Sequence, residues 1–554
     1  MGCVVRTLAL PEIAGLCIAL IICLVRRVPG LVARSAVIAE MLGSGTSVGL
    51  GTPINIYSAR MNSVAVCAGM VVLSLLGLVL HGRCRRLHAI VAAHSVTMNL
   101  SVPHSQPIRW ISSMAQSETM HLAADISFIH TDHLWRTEGS WVGYDYYGPD
   151  FYEDLARITA RGVFDMLFFG DAAETPELYG GNFDTAVRLG VRWPKHDMAP
   201  MIPLMARAAP NLGFGLTMST TYHHPFHVAR LYSSLDHVTG GRVGWNVVTS
   251  AYKNEAANWG FDRMPPASER YERAREHVKV VTDLWASVEA DAILMDRDGG
   301  RFADPSKVHL LNHHGKYFKV RGPLPVIPSR QGRPIIIQAG QSPDGMDLAA
   351  RYADLQFVAR RSDASIGEHR ALLDKLLIGH GRDPRDLGVL WLVRVQAGRT
   401  LEEARAKERY FLDHLPPEAG LIELSFQYGV DFSTLRGDMR LCDAAALVQA
   451  EQVHWGSFLE FVNTEDPETT VEDLGRRFIA ERGIHVIGTP QMIADRLEQL
   501  HEAGGRNGGI ILSKSFSAPG MLRDFVELVV PELQRRGLTK KAYAGSTLRE
   551  NLNA

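Results

Sequence analysis

Short apolar runs alternate along this chain with longer stretches in which apolar positions recur at every third or fourth residue. Leu122–Phe128, Phe164–Phe169, Leu212–Ser219 and Val243–Val248 read as strands. So do Ile335–Gln338, Leu355–Ala359, Leu387–Val395 and Gly509–Ser513. Between them, "PDFYEDLARITARG", "SERYERAREHVKVVTDLW" and "GTPQMIADRLEQLHEAGG" carry helical spacing, the last with Thr489 as N-cap and Pro490 at the first helical position. Strand-then-helix alternation implies a parallel sheet. About eight such units favour a (β/α)8 barrel, a TIM-like α/β fold, over an open doubly wound sheet. Asp291–Pro328 and Pro416–Ile484 break the alternation and read as insertions, because parallel-sheet loops are normally short.

The first 119 residues have another character. Val64–Leu80 is an uncharged run followed by "HGRCRR", and it approaches the ~18 residues a membrane helix needs. Ile13–Val25 is shorter and ends in Arg26-Arg27, like the apolar part of a signal segment. One reading is a membrane anchor with Arg83, Arg85 and Arg86 on the cytoplasmic side. The expected one is a start codon assigned too far upstream, since Met120 opens a segment of ordinary composition. The expected division is therefore an extension over 1–119 and a barrel domain over 120–554.

Composition narrows the class. The chain has 554 residues, 46% hydrophobic and 21% charged, with a formal net charge of −2. That is an ordinary globular profile without the basic excess of a nucleic-acid surface. Cys3, Cys17, Cys23, Cys67 and Cys84 lie near the start and only Cys442 lies beyond, so the body is expected to be cytoplasmic and free of disulfides.

Polar residues cluster just past the strand ends. Asp171 follows "MLFFG", Ser219 to Tyr222 follow "GFGLTM", Thr249-Ser250 follow "GWNVV", and Gly340 to Ser342 follow "IIIQA". A single such residue is usually a helix N-cap. In a barrel, however, all these ends gather on one face, where active sites are built. "QAGQSPDG" has a buried strand, a glycine turn and Ser342-Pro343 opening a helix, a pattern suited to an anion such as a phosphate. There is no G-x-G-x-x-G and no P-loop, so no standard nucleotide fingerprint is present. The histidine clusters "HTDH", "HHPFH" and His313-His314 lack metal-site spacing, and no metal is expected. A G-x-S-x-G serine-hydrolase elbow is also missing.

"GRVGWNVVTS", with "SSLDHVTG" before it and "ANWGF" after it, strongly resembles the flavin-dependent monooxygenases of the bacterial luciferase-like superfamily. The branch is that of nitrilotriacetate monooxygenase component A and dibenzothiophene sulfone monooxygenase. "STTYHHPFHVARLYSSLDH", "FADPSKVHLLNHHGKYFKVRGPLPV", "PIIIQAG" and the tail "YAGSTLRENL" match in family order. The resemblance implies a TIM-like barrel that binds reduced FMN at its C-terminal face. It assigns FMN contacts to Asp171, Thr217, Asn246, Tyr271 and Ser342, with Ser250 offering a further polar group. The histidine that accompanies the tyrosine motif is Ala267 here, and Gln341 replaces a residue that is commonly small. In "GRVGWNVVTS" itself the glycines are expected to allow close approach, and Val243 and Val247 to fill the barrel.

The cofactor carries the oxygen chemistry. The protein is left to orient substrate and exclude water. Candidate catalytic helpers are His130 or His133 on the first loop and His224 after the third strand. The resemblance further implies a separate NAD(P)H:FMN reductase, O2 as co-substrate and a small organic substrate of xenobiotic, organosulfur or aminopolycarboxylate type. A homodimer or homotetramer is expected. The competing readings are a deazaflavin-dependent oxidoreductase and a membrane-tethered flavin-binding protein without turnover.

Overall fold

The computed structural model describes residues 119–554 apart from 128–132, 137–139, 141–147, 449–454, 480–482 and 514–518. These belong to one compact unit, Arg109–Ala554. The apolar runs at 13–25 and 64–80, and His130, lie outside the described residues. Among the described residues no helix is long and apolar enough to cross a membrane.

Nine strands form one sheet. They are β1 (His121–Asp125), β2 (Met166–Phe169), β3 (Gly213–Ser219), β4 (Val243–Val248) and β5 (Ile335–Gln338). β6 (Leu355–Val358), β7 (Gly388–Ala397), β8 (Ile484–Gly488) and β9 (Gly508–Leu512) complete it. All except β8 pair in parallel around a closed ring, with β6 against β7 and β9 against β1. The expected eight-stranded TIM-like barrel is therefore present, built from the eight apolar runs.

β8 was not expected. It pairs with the outer half of β7, residues 393–397, while the inner half, 389–393, pairs with β9 inside the ring. β8 is paired on one side only and half-buried at alternate positions, so it lacks the continuous apolar run of a ring strand.

Of the helices, α1 (Pro149–Arg161) follows β1, α2 (Pro225–Thr239) follows β3, α3 (Lys253–Asn258) and α4 (Ala267–Trp285) follow β4, and α5 (Pro343–Tyr352) follows β5. α6 (Pro417–Tyr428) belongs to the second insertion, and α7 (Pro490–Ala503) and α8 (Leu548–Leu552) close the chain. Thr489 caps α7 as expected, its side chain accepting from the Met492 N–H. The first insertion forms two short hairpins, Ile293–Asp296 with Arg301–Ala303 and His313–His314 with Lys319–Val320. The second folds over its own cluster, which includes Leu424, Tyr428, Phe432, Phe458 and Leu474.

The period of β4 corrects one expectation. Trp245 packs against Tyr232 of α2 and against His277 and Trp285 of α4. Val243 and Val247, on the same face, therefore sit between strand and helices and do not fill the barrel. Gly244 and Asn246 take the inner face. The lumen is filled by Met166, Phe168, Ile335, Ile337, Leu355, Phe357 and Leu390. Glycine is required there: a Cβ on Gly244 would lie 2.9 Å from Ile337 Cδ1, and one on Gly215 would lie 2.8 Å from Met166 Sδ.

The chain's last turn plugs the N-terminal mouth. Leu548 and Leu552 of α8 join the lumen cluster. Two buried carboxylates tie this tail down. Asp354 accepts from Arg333 at 2.8 and 2.9 Å, from Arg549 at 3.3 Å and from the Ile336 N–H at 2.7 Å. Asp165 pairs with Lys540 and, at 3.2 Å, with His121.

Candidate active site

The C-terminal ends of β3 and β4 are joined by side chains. Thr217 and Asn246 lie at the same register, and the Asn246 amide donates to Thr217 Oγ1 at 2.8 Å. Asn246 Oδ1 is buried and has no hydrogen-bond partner. One turn further on, Ser250 takes a left-handed backbone conformation (φ 54°), which is uncommon for a residue with a Cβ. Its hydroxyl donates to Ser219 Oγ at 2.9 Å. Thr221 Oγ1 donates to the Thr249 carbonyl at 2.6 Å, closing the seam.

Beyond this seam opens a cavity of about 240 Å³, its wall including Asp171, Lys195, Thr217, Ser219, Tyr222, His223, Glu255 and Trp259. Lys195 Nζ is 2.9 Å from Asp171 Oδ1. Burial lowers the pKa of Lys195, and Asp171 works against that shift. Ala173 N–H donates to Glu255 Oε1 at 3.1 Å, and the Glu255 N–H donates to Glu174 Oε2 at 2.7 Å. Burial pushes Glu174 up to about 7 and raises Glu255 as well, each carboxylate reinforcing the effect on its neighbours. Burial also lowers His223, with His227 adding to the effect. Tyr222 and Trp259 stack with centroids 5.6 Å apart and planes 3° from parallel.

The insertion braces this wall. Glu423 of α6 receives two hydrogen bonds from Arg192, at 2.8 and 3.0 Å, and the Arg192 guanidinium lies 4.0 Å from the centre of the Phe426 ring. Phe426 also packs on Tyr252 with centroids 3.9 Å apart. Arg192 is three residues from Lys195, so α6 holds the loop that delivers the lysine.

A second polar feature on the same barrel face follows β5. Ser342 caps α5, its Oγ accepting from the Gly345 N–H at 3.2 Å, and it lies 3.4 Å from the Tyr271 hydroxyl. Gly340 and Gly345 abut: a Cβ on Gly345 would sit 2.8 Å from the carbonyl carbon of Gly340. The two glycines let the backbone close tightly beside the Ser342–Tyr271 pair.

These features lie at the mouth where barrel enzymes place their chemistry, and the sequence comparisons agree. The luciferase-like monooxygenase family profile matches residues 134–507. The chain belongs to the luciferase-like monooxygenase family. It is similar to dibenzothiophene-sulfone monooxygenase of Rhodococcus erythropolis (strain XP), with 36% identity over 447 residues, 79% of this chain and 97% of the relative. It is also similar to nitrilotriacetate monooxygenase component A of Aminobacter aminovorans, with 37% identity over 410 residues, 73% and 89% of the two chains. The crystal structure of a riboflavin lyase with modified FMN and riboflavin matches with a TM-score of 0.69 and 27% identity, over 78% of this chain and 96% of that one.

In this luciferase-like monooxygenase, Asp171 and Thr217 stand on the cavity wall, and Asn246 and Ser250 are bonded to wall residues. Tyr271 and Ser342 meet at the separate glycine turn. His133 is buried on the loop after β1, with φ 61° and its ring 6.0 Å from that of Trp135. His224 is exposed. Its Nδ1 caps α2 by accepting the Phe226 N–H at 3.3 Å, and its ring packs edge-on against Phe318. The histidines on the cavity wall are its neighbour His223 and His196. Lys195, Glu174, Glu255 and Trp259 were not among the candidates. Glu255 and Trp259 sit in "KNEAANWG", directly behind the signature block, and that proximity was the one signal available.

Proposed function

We propose that this monooxygenase is the oxygenating component of a two-component system. It acts in the cytoplasm, takes reduced FMN from a separate NAD(P)H:FMN reductase, and uses O2 to oxygenate a small organic molecule. The observation that carries the reading is the pairing of two complementary features on one barrel face. One is a buried, unpartnered acceptor, Asn246 Oδ1, beside Thr217; the other is the turn in which Gly340 and Gly345 abut at the start of α5, with Ser342 and Tyr271. The first fits a heterocycle that carries N–H donors, and the second fits a phosphate at a helix N-terminus. FMN has both groups and a single phosphate. When bound and reduced, the flavin supplies the electrons that activate oxygen.

The chain's own part is to bind, orient and manage protons. Asn246, Thr217 and Ser250 hold the ring and ribityl side, Ser342 and Tyr271 hold the phosphate, and Asp171 is positioned by Lys195. Glu174, with its pKa near 7, can hold or release a proton at the cavity edge. His223, on the cavity wall, and His133, buried on the loop after β1, are our candidates for hydrogen bonding to oxygen, whereas His224 serves α2. The relatives, a sulfone monooxygenase and a monooxygenase component A, support an oxygenase that works with a partner on a small molecule.

The test is a titration with FMN and FAD, followed by oxygen-consuming turnover with FMN, NADH and a generic flavin reductase across sulfone, aminopolycarboxylate and alkane substrates. FMN is expected to bind more tightly than FAD, and its reduced form more tightly than the oxidised one. Preference for FAD, or no oxygenated product with any substrate, overturns the reading.

A further inference from the structure

The cavity wall is more acidic than holding a flavin requires. Asp171, Asp197 and Glu255 line it with two histidines, His196 and His223, and a single lysine, Lys195, and that lysine is ion-paired with Asp171 at 2.9 Å. His223 adds little positive charge near neutrality, because burial keeps its pKa low. Glu255 is only 5% exposed. Its Oε1 receives the Ala173 N–H, while Oε2 has no hydrogen-bond partner. A buried carboxylate oxygen calls for a donor. Burial raises the pKa of Glu255 and Ser250 is close enough to lower it, but the Ser250 hydroxyl proton is given to Ser219. A bound molecule can supply the donor.

We propose that Glu255 selects the substrate by charge: its free Oε2 accepts a hydrogen bond from an N–H or O–H group of an uncharged or cationic small molecule, and the acidic wall turns polycarboxylates away. The inference rests on the proposed function, with the flavin held on the Thr217 and Asn246 side of the cavity and the substrate received beside Glu255. The stacked Tyr222 and Trp259 rings give such a molecule an apolar surface to lie along. A polycarboxylate would instead bring like charges to a desolvated wall whose one lysine is already paired, which costs affinity.

Equilibrium binding to the full chain, with and without saturating FMN, tests this with three probes: benzylamine, benzyl alcohol and nitrilotriacetate. Benzylamine is expected to bind tightest and nitrilotriacetate weakest. Glu255→Gln is expected to weaken benzylamine on the order of tenfold, the size of a hydrogen bond to a charged group, and to narrow its advantage over nitrilotriacetate. Asp197→Asn, at an exposed position, is expected to move the same ratio in the same direction by a smaller factor and decides the matter if Glu255→Gln does not fold. Equal binding of benzylamine and nitrilotriacetate by the unaltered chain, or a ratio that neither variant moves, overturns the proposal. FMN titration of the same samples keeps the two readings apart. Flavin binding with turnover of a polycarboxylate defeats charge selection alone, whereas intact charge selection without flavin binding defeats the monooxygenase assignment of the site.

Discussion

The two mouths of the barrel treat buried charge in opposite ways. At the N-terminal mouth, burial works against ionisation of Asp165, but Lys540 and His121 outweigh it and bring its pKa down to about 2. Arg333 and Arg549 do the same for Asp354, which is held well below the usual carboxylate range. At the C-terminal mouth, Glu174 and Glu255 are buried without a matching cation of their own, so desolvation wins and their pKa values rise. Unpartnered atoms also collect there, at Asn246 and Glu255. Carboxylates matched by cations, as Asp165 and Asp354 are, serve stability, whereas the waiting acceptors Asn246 Oδ1 and Glu255 Oε2 suit a ligand.

The largest effect should come from breaking the base. Asp354→Ala leaves Arg333 and Arg549 buried without their carboxylate and is expected to lower stability by about 3–5 kcal/mol. Flavin affinity of the protein that remains folded should be unchanged. Chemical denaturation and FMN titration check both halves; a loss below about 1 kcal/mol would mean that the apolar plug of Leu548 and Leu552 holds the base without the ion pair.

At the opposite mouth, His223→Ala is expected to cut product formation by ~10²–10³-fold, the scale for removing one preorganised hydrogen-bonding group. Oxygen and NADH consumption should continue and free hydrogen peroxide per NADH should rise. His133→Ala should uncouple in the same sense, and the exposed His224→Ala far less. If peroxide yield stays flat in all three variants, the histidines only shape the wall and substrate orientation falls to the insertion.

Asp171→Ala and Ser342→Ala should each weaken FMN by about 1–3 kcal/mol, as expected for loss of a buried polar partner. Asp171→Ala should barely change the melting temperature. Ser342→Ala should also lose about 1 kcal/mol of stability, because it removes the α5 cap. Unchanged flavin affinity in both would take the cofactor away from this face.

The smallest effect separates the mouths by pH. The Asp165 pair contributes stability that is fully present above its ordinary value of 3.8 and is lost as pH falls toward about 2. Glu174 runs the other way. Its pKa is about 7 in the fold against an ordinary 4.5, so the folded state keeps a proton that the unfolded chain releases. The stability Glu174 contributes should therefore decline as pH rises from 4.5 to 7, by at most about 1.4 kcal/mol per pH unit, and Glu174→Gln should flatten the slope by that share, leaving those of Asp236 and Glu255. Denaturation midpoints across the range read both slopes.

Much of the frame was legible before any coordinates. Each of the eight apolar runs became a ring strand, Thr489 and Pro490 opened a helix as their types require, and the glycine turn at Gly340 brought Ser342 beside Tyr271. The misses share a cause. β8 is stabilised along one edge only. The inner face of "VGWNVV" is its glycine and asparagine face, because the outer one must carry Trp245 into the helical layer. The choice between His223 and His224 depends on which of two adjacent side chains caps α2, and no pattern of spacing records that.

By itself the sequence determined the repeated strand–helix unit, the polar strand ends and the family to which they belong, because periodicity and turn chemistry are local properties of the chain. Only the tertiary structure decided that Lys195 reaches Asp171, that α6 braces their loop through Arg192, and that burial raises the pKa values of Glu174 and Glu255 while cations lower those of Asp165 and Asp354. Those outcomes are set by desolvation and by charges far apart along the chain, which acquire values only when the ring closes and brings its loops together.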